Sequence, residues 1–203
     1  MSSPAKIAKS ALRKRVKSAV SQLSSEERVR QSQAVTRQLL ALPQYQQSRR
    51  VSVYLSMPDE IQTGDIVADL LRAGKLCYIP RYESGSSHMD MVRLQSAADL
   101  AALPVTKWNI QQPALDEQRE EALQTGGLDL ILMPGLAFSR AGHRLGRGRG
   151  YYDRYLARCR ETQQRPPVTV ALAFSEQLVD EVPVEQTDVP VDLVLCPGGQ
   201  ADR

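Results

Sequence analysis

Chemistry in this chain is most concentrated between Gly142 and Asp153, where the sequence reads GHRLGRGRGYYD. Four glycines and three arginines fall within those twelve residues. Glycine lets backbone N–H groups come close to an anion, and an arginine fork offers paired donors that match phosphate or carboxylate oxygens. The spacing, G-x-G-x-G at Gly146, Gly148 and Gly150, is neither the dinucleotide fingerprint G-x-G-x-x-G nor a G-K-[ST] loop. A second reading of the same residues is an RG-rich nucleic-acid segment with Tyr151 and Tyr152 as stacking platforms. Such segments are usually repetitive, and this run is single and short. Asp153 falls in the first turn of a predicted helix, where the dipole favours an acid whatever its function; beside bound phosphates the same carboxylate could hold Mg²⁺.

What positions this segment is legible on either side. "GLDLILMPGLAF" before it reads as an apolar strand and "YYDRYLARCRE" after it as an amphipathic helix. A strand-to-helix connection at the carboxyl edge of an α/β sheet is where such folds bind ligands. Further strands are expected at "RRVSVYLSM", "KLCYIPRY", "MDMVRL", "VTVALAF" and "VDLVLCP", and helices at "SSEERVRQSQAVTRQLLAL", Thr63–Gly74 and "SAADLAAL". Alternating strands and helices, several strands being apolar throughout, imply a mostly parallel sheet covered on both faces. Length favours one domain over residues 1–203, with a frayed tail after Pro197.

The basic N-terminus is the second concentration of charge. Residues 1–25 contain no acid, whereas Lys6, Lys9, Arg13, Lys14, Arg15 and Lys17 crowd positions 6–17. An acid-poor, serine-containing, basic segment fits a mitochondrial transit peptide. At helical spacing, however, Lys6, Lys9, Arg13 and Lys17 form one stripe, and Ala8, Leu12, Val16, Ala19 and Leu23 the next. That pattern describes a docked helix with a cationic side, which a solvated charged face also explains.

Composition narrows the classes. No apolar run approaches the about 18 residues of a membrane helix, and no secretory signal opens the chain, so a cytoplasmic protein with no membrane partner is expected. Cys77, Cys159 and Cys196 are widely spaced and odd in number, which argues against disulfides and zinc; with only two histidines, any metal should be a hard cation on carboxylates. The net charge of +3 is too small to mark a nucleic-acid binder by itself.

The strings "AKSALR", "YLSMPDEIQT", "IPRY", "HMDMVR", "TKWNIQQP" and "PGLAFSRAGHRLGRGRGYYDRYL", in this order, resemble the 5-formyltetrahydrofolate cyclo-ligase family over nearly the whole chain. The resemblance implies a three-layer α/β/α sandwich, and a ligase that uses ATP and Mg²⁺ to close 5-formyltetrahydrofolate into 5,10-methenyltetrahydrofolate. By the same resemblance, Lys9, Arg13, Arg144, Gly146, Arg147, Gly148, Arg149 and Gly150 would hold the ATP phosphates. Asp153 and Asp188 would hold Mg²⁺. Leu55, Met57, Glu60, Trp108, Tyr151 and Tyr152 would contact the folate, with Arg147 and Tyr152 at the reacting centre. Arg149 stands where many relatives carry lysine, which changes its geometry toward phosphate. A monomer without nucleic-acid partners is expected. Two alternatives remain: a sugar-phosphate or acyl-transfer enzyme on the same architecture, and a nucleic-acid-binding module using the Gly/Arg loop.

Overall fold

The computed structural model describes residues 4–83, 85–106 and 110–200. The chain opens with helices α1 (Pro4–Ser21), α2 (Ser25–Ala41) and the short α3 (Pro43–Gln47). Strand β1 (Arg50–Ser52), helix α4 (Gly64–Arg72), strands β2 (Leu76–Tyr82) and β3 (Met89–Leu94), and helix α5 (Ala97–Ala102) follow. The second half contains β4 (Leu130–Met133), β5 (Ala137–Ser139), β6 (Arg144–Leu145), α6 (Tyr151–Thr162), β7 (Val168–Leu172), β8 (Leu178–Val179), β9 (Leu193–Cys196) and β10 (Gly199–Gln200).

Local chemistry sets several boundaries. Ser24 caps α2 by accepting the Glu27 N–H at 3.1 Å, and Ser96 caps α5 by accepting the Asp99 N–H at 3.0 Å. The α2 helix ends at Ala41, and Pro43 opens α3 at a position where no N–H is needed.

Seven strands form the main sheet in the order β10-β9-β7-β4-β1-β2-β3. The four central pairings among β9, β7, β4, β1 and β2 are parallel, as their apolar runs require, and both edge strands are antiparallel. Successive residues of a strand point to opposite faces. Leu130, Leu132, Val170 and Leu172 accordingly meet α1, α2 and α4 through Val16, Leu39 and Leu70. Ile131, Met133 and Ala171 meet α6 through Tyr152, Tyr155 and Cys159. The result is the three-layer α/β/α sandwich.

Two sequence expectations need correction. The segment read as one strand, "GLDLILMPGLAF", is two: β4 lies in the main sheet, whereas β5 pairs with β6 and β8 in a separate three-stranded sheet. Pro134–Gly135 divides them, proline having no N–H for the ladder. The chain also stays paired beyond Pro197, since Gly199 and Gln200 sit opposite Cys196 and Leu195.

Candidate active site

In chain order the parallel strands lie 2-1-3-4-5 across the sheet, so the connection reverses direction between β1 and β4. The carboxyl ends of two neighbouring strands there lead away to opposite faces and leave a crevice. A cleft of about 1120 Å³ occupies this position. It is lined by residues following β1 (Tyr54, Leu55, Met57, Glu60), by Pro134 and Gly135 following β4, by the 144–154 segment, by Lys6, Lys9 and Arg13 of α1, and by 185–189. The cleft therefore brings together fifteen of the sixteen residues singled out in sequence; Trp108 lies outside the described residues.

Its floor on one side is the α1 helix, whose stripes are rotated from the sequence expectation. Lys9 is buried beside Leu12, Val16 and Val20, whereas Ala8 and Lys17 are exposed. The Lys9 ammonium donates to Glu185 Oε2 at 2.9 Å and to Asp188 Oδ2 at 2.5 Å. Burial alone would lower its pKa, but the hydrogen bonds from Lys9 to Asp188 and Glu185 outweigh burial and hold it above the usual lysine value. Asp188 Oδ2 also accepts the Glu185 N–H at 2.8 Å, which closes the 185–188 turn around the ammonium. One turn further along α1, Arg13 Nε donates to the Gly146 carbonyl at 2.9 Å and so anchors the glycine-rich loop.

The loop itself shows why glycine is used. A Cβ on Gly146 would stand 2.8 Å from Arg144 Nη1, so the arginine head group would have to shift from its present partners. Gly148 has φ +103°, a conformation that L-residues avoid. Arg144 is thereby tucked beneath the loop, donating to Asp153 Oδ2 at 3.1 Å and to the Pro134 carbonyl at 3.3 Å, with its guanidinium 5.5 Å from the Tyr152 ring centre. Arg149 is exposed at the rim.

The opposite wall is the turn after β1. Thr63 Oγ1 donates to the Tyr54 carbonyl at 2.7 Å, and the Ser56 and Thr63 N–H groups donate to each other's hydroxyls at 3.2 Å. This cross-bracing pins Met57 and Glu60. Glu60 is buried, and its Oε2 accepts the Met57 N–H at 2.9 Å. Its other oxygen accepts from Arg147 Nη2 at 3.1 Å, and the same nitrogen donates to Asp59 Oδ1 at 2.7 Å. Desolvation raises the Glu60 pKa despite the opposing Met57 N–H and Arg147.

Two aromatic rings complete this end, Tyr82 and Tyr151, 4.8 Å apart and tilted by 52°. The Tyr151 hydroxyl donates to the Ser86 carbonyl at 3.1 Å. Tyr152 is buried, and burial pushes its hydroxyl far above the ordinary tyrosine range, so it remains a neutral phenol.

Asp59, Glu185 and Tyr82 escaped sequence reading. The first two act through partners 88 and 176 residues away, and no local pattern encodes such pairing. Among the described residues no group of three or more His, Cys, Asp or Glu could hold a metal ion. Asp153 and Asp188 both line the cleft but are occupied by Arg144 and Lys9. Hard carboxylate oxygens at a partly open site nonetheless suit Mg²⁺, which typically takes one or two carboxylates and completes its shell with phosphate and water.

Such a cleft, with a basic glycine-rich loop arched over the switch point of an α/β sheet, defines a class of α/β protein with donors suited to an anionic ligand beside a second, partly apolar compartment. Within that class, the chain belongs to the 5-formyltetrahydrofolate cyclo-ligase family, whose profile it matches over residues 5–197. It is 53% identical to the mouse 5-formyltetrahydrofolate cyclo-ligase, with 93% of each chain covered. It is 40% identical to a probable 5-formyltetrahydrofolate cyclo-ligase of Caenorhabditis elegans, over 94% of this chain and 93% of that one. Among solved structures it is similar to a 5,10-methenyltetrahydrofolate synthetase of Aquifex aeolicus, with a TM-score of 0.75, 30% identity, and 95% and 91% of the two chains covered.

Proposed function

We propose that the chain catalyses ATP-dependent cyclisation of 5-formyltetrahydrofolate to 5,10-methenyltetrahydrofolate with release of ADP and phosphate. The observation that carries this reading is the Arg147–Glu60 contact at 3.1 Å. It sets the anion-gripping loop directly against a buried carboxylate, so the phosphate end of one substrate and the pterin end of another would meet there.

The chemistry requires that juxtaposition. A formyl amide oxygen is a poor leaving group. Transfer of the γ-phosphoryl group to that oxygen gives an imino-phosphate and ADP; attack by the nitrogen at position 10 on the formyl carbon closes the five-membered ring, and the C–O bond breaks to release phosphate as that nitrogen gives up its proton. Phosphoryl transfer needs mainly positioning and charge stabilisation. In this reading Lys9, Arg13, Arg144 and Arg149 receive the phosphates together with the amides of Gly146, Gly148 and Gly150, and Arg147 neutralises the transferring group. Glu60 accepts the pterin's N–H donors, Leu55 and Met57 flank the ring, Tyr151 stacks on it, and Tyr152 walls the reacting centre. Asp153 and Asp188 would hold Mg²⁺, which supplies charge neutralisation across the phosphates when bound.

The reading keeps the enzyme in the cytoplasm, and α1 itself belongs to the fold, because its Lys9 and Arg13 are part of the cleft and Val16 and Val20 are part of the core. Among the described residues no helix is long and apolar enough to cross a membrane.

The test is spectrophotometric: purified protein with Mg²⁺, ATP and 5-formyltetrahydrofolate should generate the methenyl product's ultraviolet absorbance, and omission of ATP should abolish it. A folded protein that binds ATP and gives no absorbance change would exclude this substrate.

A further inference from the structure

Arg147 is held by two carboxylates, and only one of them has a place in the reaction as proposed above. Its Nη2 lies 2.7 Å from Asp59 Oδ1 and 3.1 Å from Glu60 Oε1. The two carboxylates differ in setting: the Glu60 side chain is 9% exposed and the Asp59 side chain 32%. A single guanidinium therefore neutralises one buried and one half-buried acid. Phosphate competes for the same donors, since an arginine fork engaged by one oxyanion has fewer left for another.

We infer that Asp59 is a positioning residue that parks Arg147 on the Glu60 side of the cleft, so that nucleotide phosphates must win this arginine from the carboxylates and folate binding at Glu60 eases the transfer. The inference rests on the substrate assignment proposed above. Its logic is that of desolvation. When phosphates draw Arg147 away, Glu60 is left buried with only the Met57 N–H at 2.9 Å, an arrangement that is unfavourable for a carboxylate. A pterin edge offers N–H donors that fill the vacancy. Each ligand thus removes a cost the other would meet, and linkage makes the benefit reciprocal. Asp59 sets the size of that cost: as the closer partner it raises the resting hold on Arg147 and adds a negative charge facing incoming phosphate.

The loop geometry fits a side chain that changes partners while its backbone stays anchored. Arg13 fixes the Gly146 carbonyl at 2.9 Å, immediately before Arg147, and Gly148 at φ +103° follows it. Arg147 pairs with acids of the turn after β1, whereas Lys9 and Arg144 are held by Asp188 and Asp153 on the other side of the cleft.

The test is a binding cycle by titration calorimetry with Mg²⁺ and a non-hydrolysable β,γ-imido analogue of ATP. In the wild-type protein, saturation with 5-formyltetrahydrofolate should tighten analogue binding by about 5-fold or more. Asp59→Asn should bind the analogue about 2- to 10-fold more tightly than wild type in the absence of folate, and Asp59→Glu should return it toward wild type. A residue that only supported the fold would weaken binding when replaced, so the gain is the discriminating sign. Arg147→Met should abolish the folate effect while leaving residual analogue binding through Lys9 and Arg13. The inference is overturned if Asp59→Asn binds the analogue no better than wild type, if the two ligands bind independently, or if coupling survives in Arg147→Met. Turnover with no coupling would sink this inference alone. Absence of folate binding or turnover would sink the substrate assignment, with the Asp59→Asn arm still deciding whether that aspartate restrains Arg147.

Discussion

Glu60 shows how a residue's environment can oppose the fold while serving the site. Burial raises its pKa above the ordinary glutamate value of 4.5, so the folded state binds this proton more tightly than the unfolded chain. For an acid shifted in this direction, stability is fully present below the unfolded value and is lost as pH rises through the folded value. Glutamine keeps an oxygen for the Met57 N–H and carries no charge to desolvate. Glu60→Gln is therefore expected to melt at a higher temperature than wild type at pH 7, the difference shrinking as pH falls toward about 4, while turnover drops at least about 10-fold through loss of the charged acceptor. Thermal melts at several pH values together with the absorbance assay check both halves; a variant that melts lower at pH 7 would show that the Arg147 pair dominates. Of this pairing the sequence shows one partner. Arg147 stands out in a Gly/Arg run, and Glu60 becomes readable by resemblance, but Asp59 is an unremarkable acid in "MPDE" until the turn after β1 is folded against a loop almost ninety residues away.

At the level of elements, the glycine-rich loop is two devices that the spacing G-x-G-x-G does not distinguish. Gly146 is needed for space, because a Cβ there would press on Arg144 at 2.8 Å. Gly148 is needed for conformation, because its φ is +103° and its virtual Cβ meets nothing nearer than Arg13 Nη2 at 3.6 Å. Gly146→Ala should displace the Arg144 side chain from Asp153 and lower turnover by about 10-fold or more, with little change in melting temperature. Gly148→Ala should instead cost about 1–2 kcal/mol of backbone strain in the closed loop. A flexible surface loop can relieve that cost by opening, so its effect should appear mainly as weaker nucleotide binding and faster proteolysis between 146 and 150. Equal behaviour of the two variants would refute the division. The helices α1, α2, α4 and α6 were legible from apolar period and caps. The rotation of α1 was not, because Lys9 lies on the buried face and only its partnership with Glu185 and Asp188 makes that position tolerable for a lysine. Nor was the break at Pro134–Gly135, where uniformly apolar composition on both sides conceals a change of sheet.

For the whole molecule, the placement of charge sets when a metal can bind. The order of parallel strands opens the crevice between β1 and β4, and the chain brings to its loop side two cations already matched to acids, Lys9 with Glu185 and Asp188 and Arg144 with Asp153, and a third, Arg13, held by a carbonyl. A sheet of parallel strands was readable from the alternation of strands and helices, and with it the edge where a ligand would sit. The pairing of Lys9 and Arg144 with acids inside the cleft was not, since the overall charge of +3 and the acid-free first 25 residues both suggest an exposed basic surface. That pairing has a consequence for Mg²⁺. With both candidate carboxylates engaged by Arg144 and Lys9, a bare dication would have to displace a cation it cannot outcompete with only one or two ligands of its own. Under the function proposed here, phosphates of an incoming nucleotide would change the balance by taking the arginine and lysine as their own partners and adding oxygens for the metal. Mg²⁺ titrated alone should accordingly give no measurable heat at millimolar concentration and no rise in melting temperature, whereas Mg²⁺ with the imido analogue of ATP should raise it, by an amount equivalent to about 2.7 kcal/mol when the analogue is at 100 times its dissociation constant. Asp153→Asn should reduce the extra stabilisation that Mg²⁺ adds to the analogue while leaving metal-free analogue binding intact. Tight binding of Mg²⁺ by itself would mean that the carboxylates are preorganised for metal and that the ion pairs seen here yield to it without a nucleotide.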